Sequence, residues 1–286
     1  MENTRFVNST LHNHLRTSSN VTKDTVVAAV KKAGERLGKG GIFGLIRFNP
    51  SKSEIDSRWE YFEEHLKNLC PVISTKNGYF LPAQDLLILH GQEIPTNQGH
   101  ILLVGTPTNR TITNDSSIDD VLDFADQYNA LKALDHPFHY QGLGPFLARN
   151  PEYIKRFDLI ETQNGEASLW LPRYVNANKK GRAFHKDHPE LAEFSSDDGH
   201  TIWELGRNYT QIPISVDYST FKDSPEKLTG ALRNGHKNPV HHRKSSAKFG
   251  TILHMANLGA LIVASKFGLD ANRDTAPALD KIGYKI

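Results

Sequence analysis

The sequence predicts an α/β barrel. Strands and helices alternate along most of the chain, 286 residues suffice for one such unit, and the side chains best suited to bind a metal fall at expected strand ends. The segment Thr10-Leu11-His12-Asn13-His14 closes a first strand. Val26, Val27, Val30, Ala33 and Leu37 then recur at helical spacing until Gly38-Lys39-Gly40-Gly41 stops the helix. Ile42 to Ile46 reads as a buried strand ending at Arg47-Phe48-Asn49-Pro50. Ser53 can cap a helix with Ile55, Trp59, Phe62, Leu66 and Leu69 on one face. The apolar strand Leu86 to Leu89 runs into Gly91-Gln92-Glu93, after a short extra strand or excursion over Val72 to Phe80.

The rhythm continues with a strand from His100 to Gly105, a helix from Ile118 to Tyr128, and a strand Leu131 to Leu134 leading into Asp135-His136-Pro137. A helix near Pro145 to Arg156, the strand Leu159 to Thr162, a helix near Leu169 to Lys180 and a short strand Leu191 to Ser195 complete the regular part. That last strand enters Ser196-Asp197-Asp198-Gly199-His200. Such alternation argues for a parallel, closed sheet in which the loops after the strands meet at one rim. Ile212 to Val216 reads as a final strand and Pro225 to Asn234 as a helix. Lys248 to Phe267, with Phe249, Ile252, Leu253, Ala256, Ala260, Val263 and Phe267 at 3–4 spacing, reads as a helix packed on the outside.

Composition narrows the chemistry. Hydrophobic residues at 38% and charged residues at 23% describe a globular protein, and a net charge of +2 neither requires nor excludes a polyanionic partner. Cys70 is the single cysteine, so no intramolecular disulfide and no thiolate metal cluster can form, and any metal must rest on His and carboxylate. Met1 to Phe6 lacks the apolar core of a secretory signal, and no apolar run approaches the ~20 residues that span a bilayer. A cytoplasmic location without membrane association is the expectation.

An H-x-H triplet is weak by itself, since a chain with 14 histidines meets one roughly once by chance. The series His12-x-His14, Glu93, His100, His136-Pro137 and Asp198-x-His200 is far more specific. Its segments Leu11-His12-Asn13-His14, Gly91-Gln92-Glu93-Ile94, Gly99-His100-Ile101-Leu102, Asp135-His136-Pro137 and Asp197-Asp198-Gly199-His200 resemble, in order, the polymerase and histidinol phosphatase (PHP) family of metal-dependent phosphoesterases. Ile160 to Gly165, Ser224 to Leu228 and Arg233-Asn234-Gly235 add to the likeness.

The resemblance implies a distorted (β/α)7 TIM-like barrel over residues 1–240, with residues 241–286 as a C-terminal helical extension packed on it. It also implies a cluster of two or three divalent ions at the rim, of which two are expected here. One would take His12, His14, Glu93 and Asp198, and Glu93 would bridge to a second held by His100 and His136. Imidazole and carboxylate donors suit Zn, Mn or Fe, and a shared carboxylate lets two dications sit ~3.5–4 Å apart around one activated water. The chain departs from the family where a third metal is normally held: Thr17 to Asn20 and Arg47-Phe48-Asn49 lack the usual Asp and His, so only His200 of that site remains.

His200, freed from a third metal, is the expected proton donor to the leaving oxygen. Arg47 is a candidate for gripping phosphate in the third metal's stead. Lys179 and Arg182 are candidates for steering an anionic substrate, and His139 for touching it, while Glu161 and Asn164 are expected to orient the ligands. The expected activity is phosphomonoester or phosphodiester hydrolysis, with a phosphorylated small molecule, a nucleotide or an oligonucleotide as substrate. The alternatives are a phosphate- or nucleotide-binding module that has lost catalysis, and an amidohydrolase-like enzyme cleaving C–N or C–O bonds, since a two-metal barrel does not dictate phosphorus chemistry.

Overall fold

A computed structural model describes residues 4–14, 23–48, 58–114, 116–168, 176–199, 204–215, 218 and 225–243. The strands are β1 (Arg5–Thr10), β2 (Gly41–Phe48), β3 (Ile73–Thr75), β4 (Gly78–Leu81), β5 (Leu86–Thr96), β6 (Gly99–Val104), β7 (Leu131–Leu134), β8 (Leu159–Asn164), β9 (Ala192–Ser196), β10 (Tyr209–Ile214) and β11 (His241–Arg243). They form one sheet in the order β11-β10-β1-β2-β5-β6-β7-β8-β9, with the β3–β4 hairpin laid against β5. Helices α1 (Lys23–Leu37), α2 (Arg58–Leu69), α3 (Ile118–Tyr128), α4 (Gly144–Leu147), α5 (Ala177–Asp187) and α6 (Pro225–Lys237) complete the unit.

The sheet curls until its ends almost meet, giving a distorted TIM-like barrel. The backbone N–H of Ser195 on β9 donates to the Thr210 hydroxyl on β10 at 2.8 Å. Beyond the strands, Asp198 N–H donates to His12 C=O at 2.9 Å and His14 N–H to Gly199 C=O at 2.7 Å. The seam is therefore fastened by the two segments that carry candidate ligands. Gly44 permits it: a Cβ there would lie 2.1 Å from the Leu11 carbonyl oxygen, so only glycine lets the 11–14 segment settle against β2.

Three apolar clusters explain why these elements form. Val7, Ile42, Ile46, Leu87, Leu89, Leu102, Leu131, Leu159, Phe194 and Ile212 fill the interior, following the period-2 alternation of strands. On one outer face α1 and α2 bury Val26, Val30, Ala33, Phe62 and Leu66 against Phe43, Leu45 and Ile88; on another, α3 packs Val121, Leu122 and Ala125 against Leu103 and Leu134. Ser117 and Asp120 form a capping box at the start of α3, and Asn129 ends it in the left-handed conformation. Leu228 and Leu232 of α6 join the interior. Arg233 pairs with Asp158, just before β8, so α6 stoppers the end of the barrel at which the parallel strands begin.

Several expectations change. The sheet is mixed: β5–β6, β6–β7 and β1–β10 pair antiparallel, while β1–β2, β2–β5, β7–β8 and β8–β9 are parallel. For the two pairings of β6 the cause is a tight hairpin at Asn97-Gln98, which reverses β6 and brings its first residues, not its last, to the rim. Glu93 consequently lies inside β5, not at its end. Of the helix expected near 169–180, residues 177–180 open α5, which runs on to Asp187, while 169–175 lie outside the described residues; the helix expected near 145–156 divides into α4 and a 3-10 turn, Pro151–Arg156. His241–Arg243 adds a short antiparallel strand beside β10. The expected helix over 248–267 lies outside the described residues, as do Thr17 to Asn20.

Candidate metal centre

Six of the expected ligands converge in a buried cluster at the rim. His12, His14, Glu93, His100, His136 and Asp198 are all at most 6% exposed. Glu93 is its hub. One carboxylate oxygen, Oε2, lies 3.0 Å from His14 Nε2 and 3.7 Å from His12 Nε2. The other, Oε1, lies 2.5 Å from His100 Nδ1 and 3.2 Å from His136 Nε2. Asp198 reaches the first group, with Oδ1 3.4 Å from His12 Nε2 and 3.5 Å from His14 Nε2.

Tautomers follow from the outer partners. Nδ1 of His14 faces the Ile46 carbonyl at 3.2 Å and Nδ1 of His12 faces Glu161 Oε2 at 3.4 Å. Both acceptors demand N–H donors, which leaves the Nε2 lone pairs of the two rings pointing at each other, 3.0 Å apart. Two lone pairs at that separation repel unless a cation lies between them. Metal–nitrogen bonds of ~2.0–2.1 Å put neighbouring nitrogens about this far apart. Both oxygens of the fully buried Asp135 have no hydrogen-bond partner among the described residues, a cost that a bound ion would relieve. The residues present fit divalent metal.

Without metal, protons take that place. Burial opposes charge on His136, yet Asp135, Glu93 and Asp198 outweigh it and hold its pKa up at about 10. His12 is raised well above its ordinary value in the same way, burial being overcome by Asp198 and Glu161. Glu93 resists burial and falls well below the usual carboxylate range because His100, His12 and His136 surround it. Burial pushes Asp135 up to about 7. The buried His139 ring, 4.9 Å from that of His136, is lowered to about 4 by burial and by the neighbouring imidazolium.

Backbone strain marks the same place. His136 has φ +27° and Asp198 φ +48°, a region that side-chain-bearing residues adopt at a cost. Behind the cluster, Glu161 acts as a clamp. Its Oε2 accepts from the His136 backbone N–H at 2.7 Å and from Asn164 Nδ2 at 2.8 Å, and its Oε1 accepts from the Ser196 hydroxyl. Asn164 Nδ2 also donates to Asp198 Oδ2 at 3.0 Å. Glu161 and Asn164 thus hold two ligand segments at once, as the sequence suggested for them.

The remaining candidates are placed differently. Arg47 is expected to grip phosphate, but β2 alternates, and Arg47 shares the outer face of Phe43 and Leu45 while Ile42 and Ile46 point inward. Its Nη1 donates to Thr111 Oγ1 at 2.8 Å, and its register partner Gln92 donates to Arg110 C=O on the same loop. Arg47 fastens that loop from outside the barrel. Arg182 donates to Thr162 C=O and Gln163 Oε1 at the end of β8, and Lys179 is exposed in the first turn of α5. His200 lies outside the described residues. Asp135 is the residue that strand logic misses: consecutive residues of a strand face opposite ways, and only the left-handed turn at His136 brings both to the cluster.

No family model matches the chain, and no curated protein matches it significantly. Solved structures do. PsfC from Pseudomonas syringae PB-5123 superposes with a TM-score of 0.58 at 15% identity, over 90% of this chain and 97% of that one. Endonuclease Q, in complex with a 27-mer duplex substrate with an abasic lesion at the active site, superposes with a TM-score of 0.50 at 14% identity, over 84% of this chain and 58% of that one. A two-domain protein from Bacteroides vulgatus ATCC 8482, described as containing a predicted PHP-like metal-dependent phosphoesterase, gives a TM-score of 0.47 at 16% identity, over 80% of this chain and 64% of that one. The chain thus spans less than two thirds of the length of the last two. At these identities the likeness to PsfC and Endonuclease Q is one of fold.

Proposed function

We propose that this protein is a metal-dependent hydrolase of phosphate esters whose centre holds two divalent ions. The observation that carries the reading is the division of Glu93, whose two oxygens face two pairs of imidazoles: His12 and His14, which Asp198 also approaches, on one side, and His100 and His136 on the other. When bound, two such ions supply positive charge to the phosphoryl oxygens and acidify a water molecule. In hydrolysis the water oxygen bonds to phosphorus, the ester P–O bond breaks and the leaving oxygen takes up a proton.

The chain's own contribution is preorganisation. Glu161 and the Ile46 carbonyl fix the ring tautomers of His12 and His14, and the seam bonds keep both segments aligned with Asp198. His139, held neutral at neutral pH, lines the site without adding repulsion. His200, two residues beyond Asp198, is the proposed donor to the leaving oxygen. The substrate belongs to the phosphate esters. Because Endonuclease Q was captured with a lesion-bearing duplex, oligonucleotides belong in the assay beside nucleotides and sugar phosphates. Among the described residues no helix is long and apolar enough to cross a membrane.

The test is elemental analysis of protein purified without chelator, together with phosphomonoesterase and phosphodiesterase assays of wild type and Glu93→Ala. About two metals per chain and an activity abolished by Glu93→Ala are expected. No bound metal after reconstitution with Mn or Zn would overturn the reading. Two metals with turnover only of amides or lactones would transfer the site to amidohydrolase-like chemistry, and two metals with no turnover to the binding module.

A further inference from the structure

We infer that Asp135 is itself a metal ligand, and that the negative charge it adds makes the centre selective for phosphodiesters over phosphomonoesters; the second half rests on the phosphoesterase reading above. Asp135 is fully buried. Neither of its carboxylate oxygens has a hydrogen-bond partner among the described residues, although Oδ2 comes within 3.4 Å of His136 Nε2. Its oxygen lies within 4.8 Å of ligand atoms of Glu93 and His136, the donors of the second ion, and of His12 beside them. The other buried carboxylates near the cluster show what a structural role looks like. Glu161 accepts from His136 N–H, Asn164 and Ser196, and Asp197 accepts from the backbone N–H groups of Arg207 and Asn208. Asp135 accepts no such bond; the metal-free fold offers it the charge of the His136 ring in place of hydrogen bonds, and a buried carboxylate left so costs stability until a metal cation completes it.

The charge balance then bears on the substrate. Glu93, Asp135 and Asp198 set three negative charges against the four positive charges of two dications, which leaves one, and Glu161 behind His12 reduces even that. Arg47, the cation expected to make up the deficit, faces outward to Thr111. A monoanionic diester matches so small a surplus; a dianionic monoester demands more.

The decisive comparison uses the full chain, stripped with chelator, as wild type and Asp135→Asn. Mn and Zn binding is followed by competition with a colorimetric chelator, and melting of the metal-free proteins by circular dichroism. We expect Asp135→Asn to bind one equivalent of metal at least ~10-fold more weakly and the other near its wild-type affinity, with a cooperative metal-free melting transition retained. Unaltered affinity for both ions overturns the inference. So does an equal weakening of both ions, which is the mark of a structural residue. Should the asparagine variant fail to fold, Asp135→Ala, which leaves no polar atom to bury, replaces it. Where wild type hydrolyses phosphate esters, its rate on a diester should exceed that on the matched monoester, and Asp135→Asn should move the ratio toward the monoester; an unchanged ratio refutes the selectivity half. A wild type inert toward both esters would strike the phosphoesterase reading, while metal affinity would still decide Asp135.

Discussion

Replacing Glu161 tests the logic of the whole centre, because this one carboxylate serves three strands. It is fully buried, faces His12 Nδ1 at 3.4 Å, and accepts from His136 N–H at 2.7 Å, Asn164 Nδ2 at 2.8 Å and the Ser196 hydroxyl. Glu161→Ala takes the acceptor from four donors in the interior. At ~1–3 kcal/mol for each unmet group, relaxed in part by water entry, the variant should lose about 3–5 kcal/mol of stability. Glu161→Gln is the sharper perturbation. Its carbonyl oxygen can occupy the Oε2 position, and its amide can donate to Ser196, whose hydroxyl rotates to accept. What disappears is the charge that holds the proton on His12 Nδ1. Stability should fall by ~1–2 kcal/mol, whereas metal affinity should fall ~10–100-fold. Urea unfolding in chelator gives the first quantity, and competition with a colorimetric chelator gives the second. A Glu161→Gln protein with wild-type metal affinity would refute the assignment of Glu161 as the group that orients His12. An alanine variant less than about 1 kcal/mol destabilised would refute the buried network itself.

Three further outcomes follow from the same geometry. With its pKa at about 10 in the metal-free fold against an ordinary 6.5, His136 contributes stability that is full below pH 6.5 and lost as pH rises through about 10. Melting temperature in chelator should therefore decline from pH 7 to 10, metal should suppress the decline, and its binding should release protons measurable by calorimetry in buffers of different ionisation heat; a flat profile would contradict the charged His136. Arg47→Ala should cost about 1–3 kcal/mol by freeing the loop at Thr111 and leave metal content and KM unchanged, so a raised KM at unchanged stability would restore the phosphate role. Gly44→Ala should displace the 11–14 segment, since its Cβ would lie 2.1 Å from the Leu11 carbonyl oxygen. A loss of ~3 kcal/mol or more, or loss of metal, is expected, and normal values for both would show that the seam yields more easily than its packing implies.

The sequence alone determined the class of fold and most of the candidate donor set. Hydrophobic periodicity laid out Val26 to Leu37 as helix and Ile42 to Ile46 as strand, because burying an apolar face is a local demand that each segment states for itself. The His and carboxylate residues stood out because few other side chains can bind metal in a chain with one cysteine. Tertiary structure decided the rest. A two-residue hairpin reversed β6 and made the sheet mixed, which periodicity cannot register, since a strand reads alike in either direction. The face taken by Arg47 depended on the register of β2 against β5. Asp135 came to the cluster through one left-handed φ at His136. Strand order, register and a single strained dihedral are set by contacts between distant segments, and no local pattern encodes them.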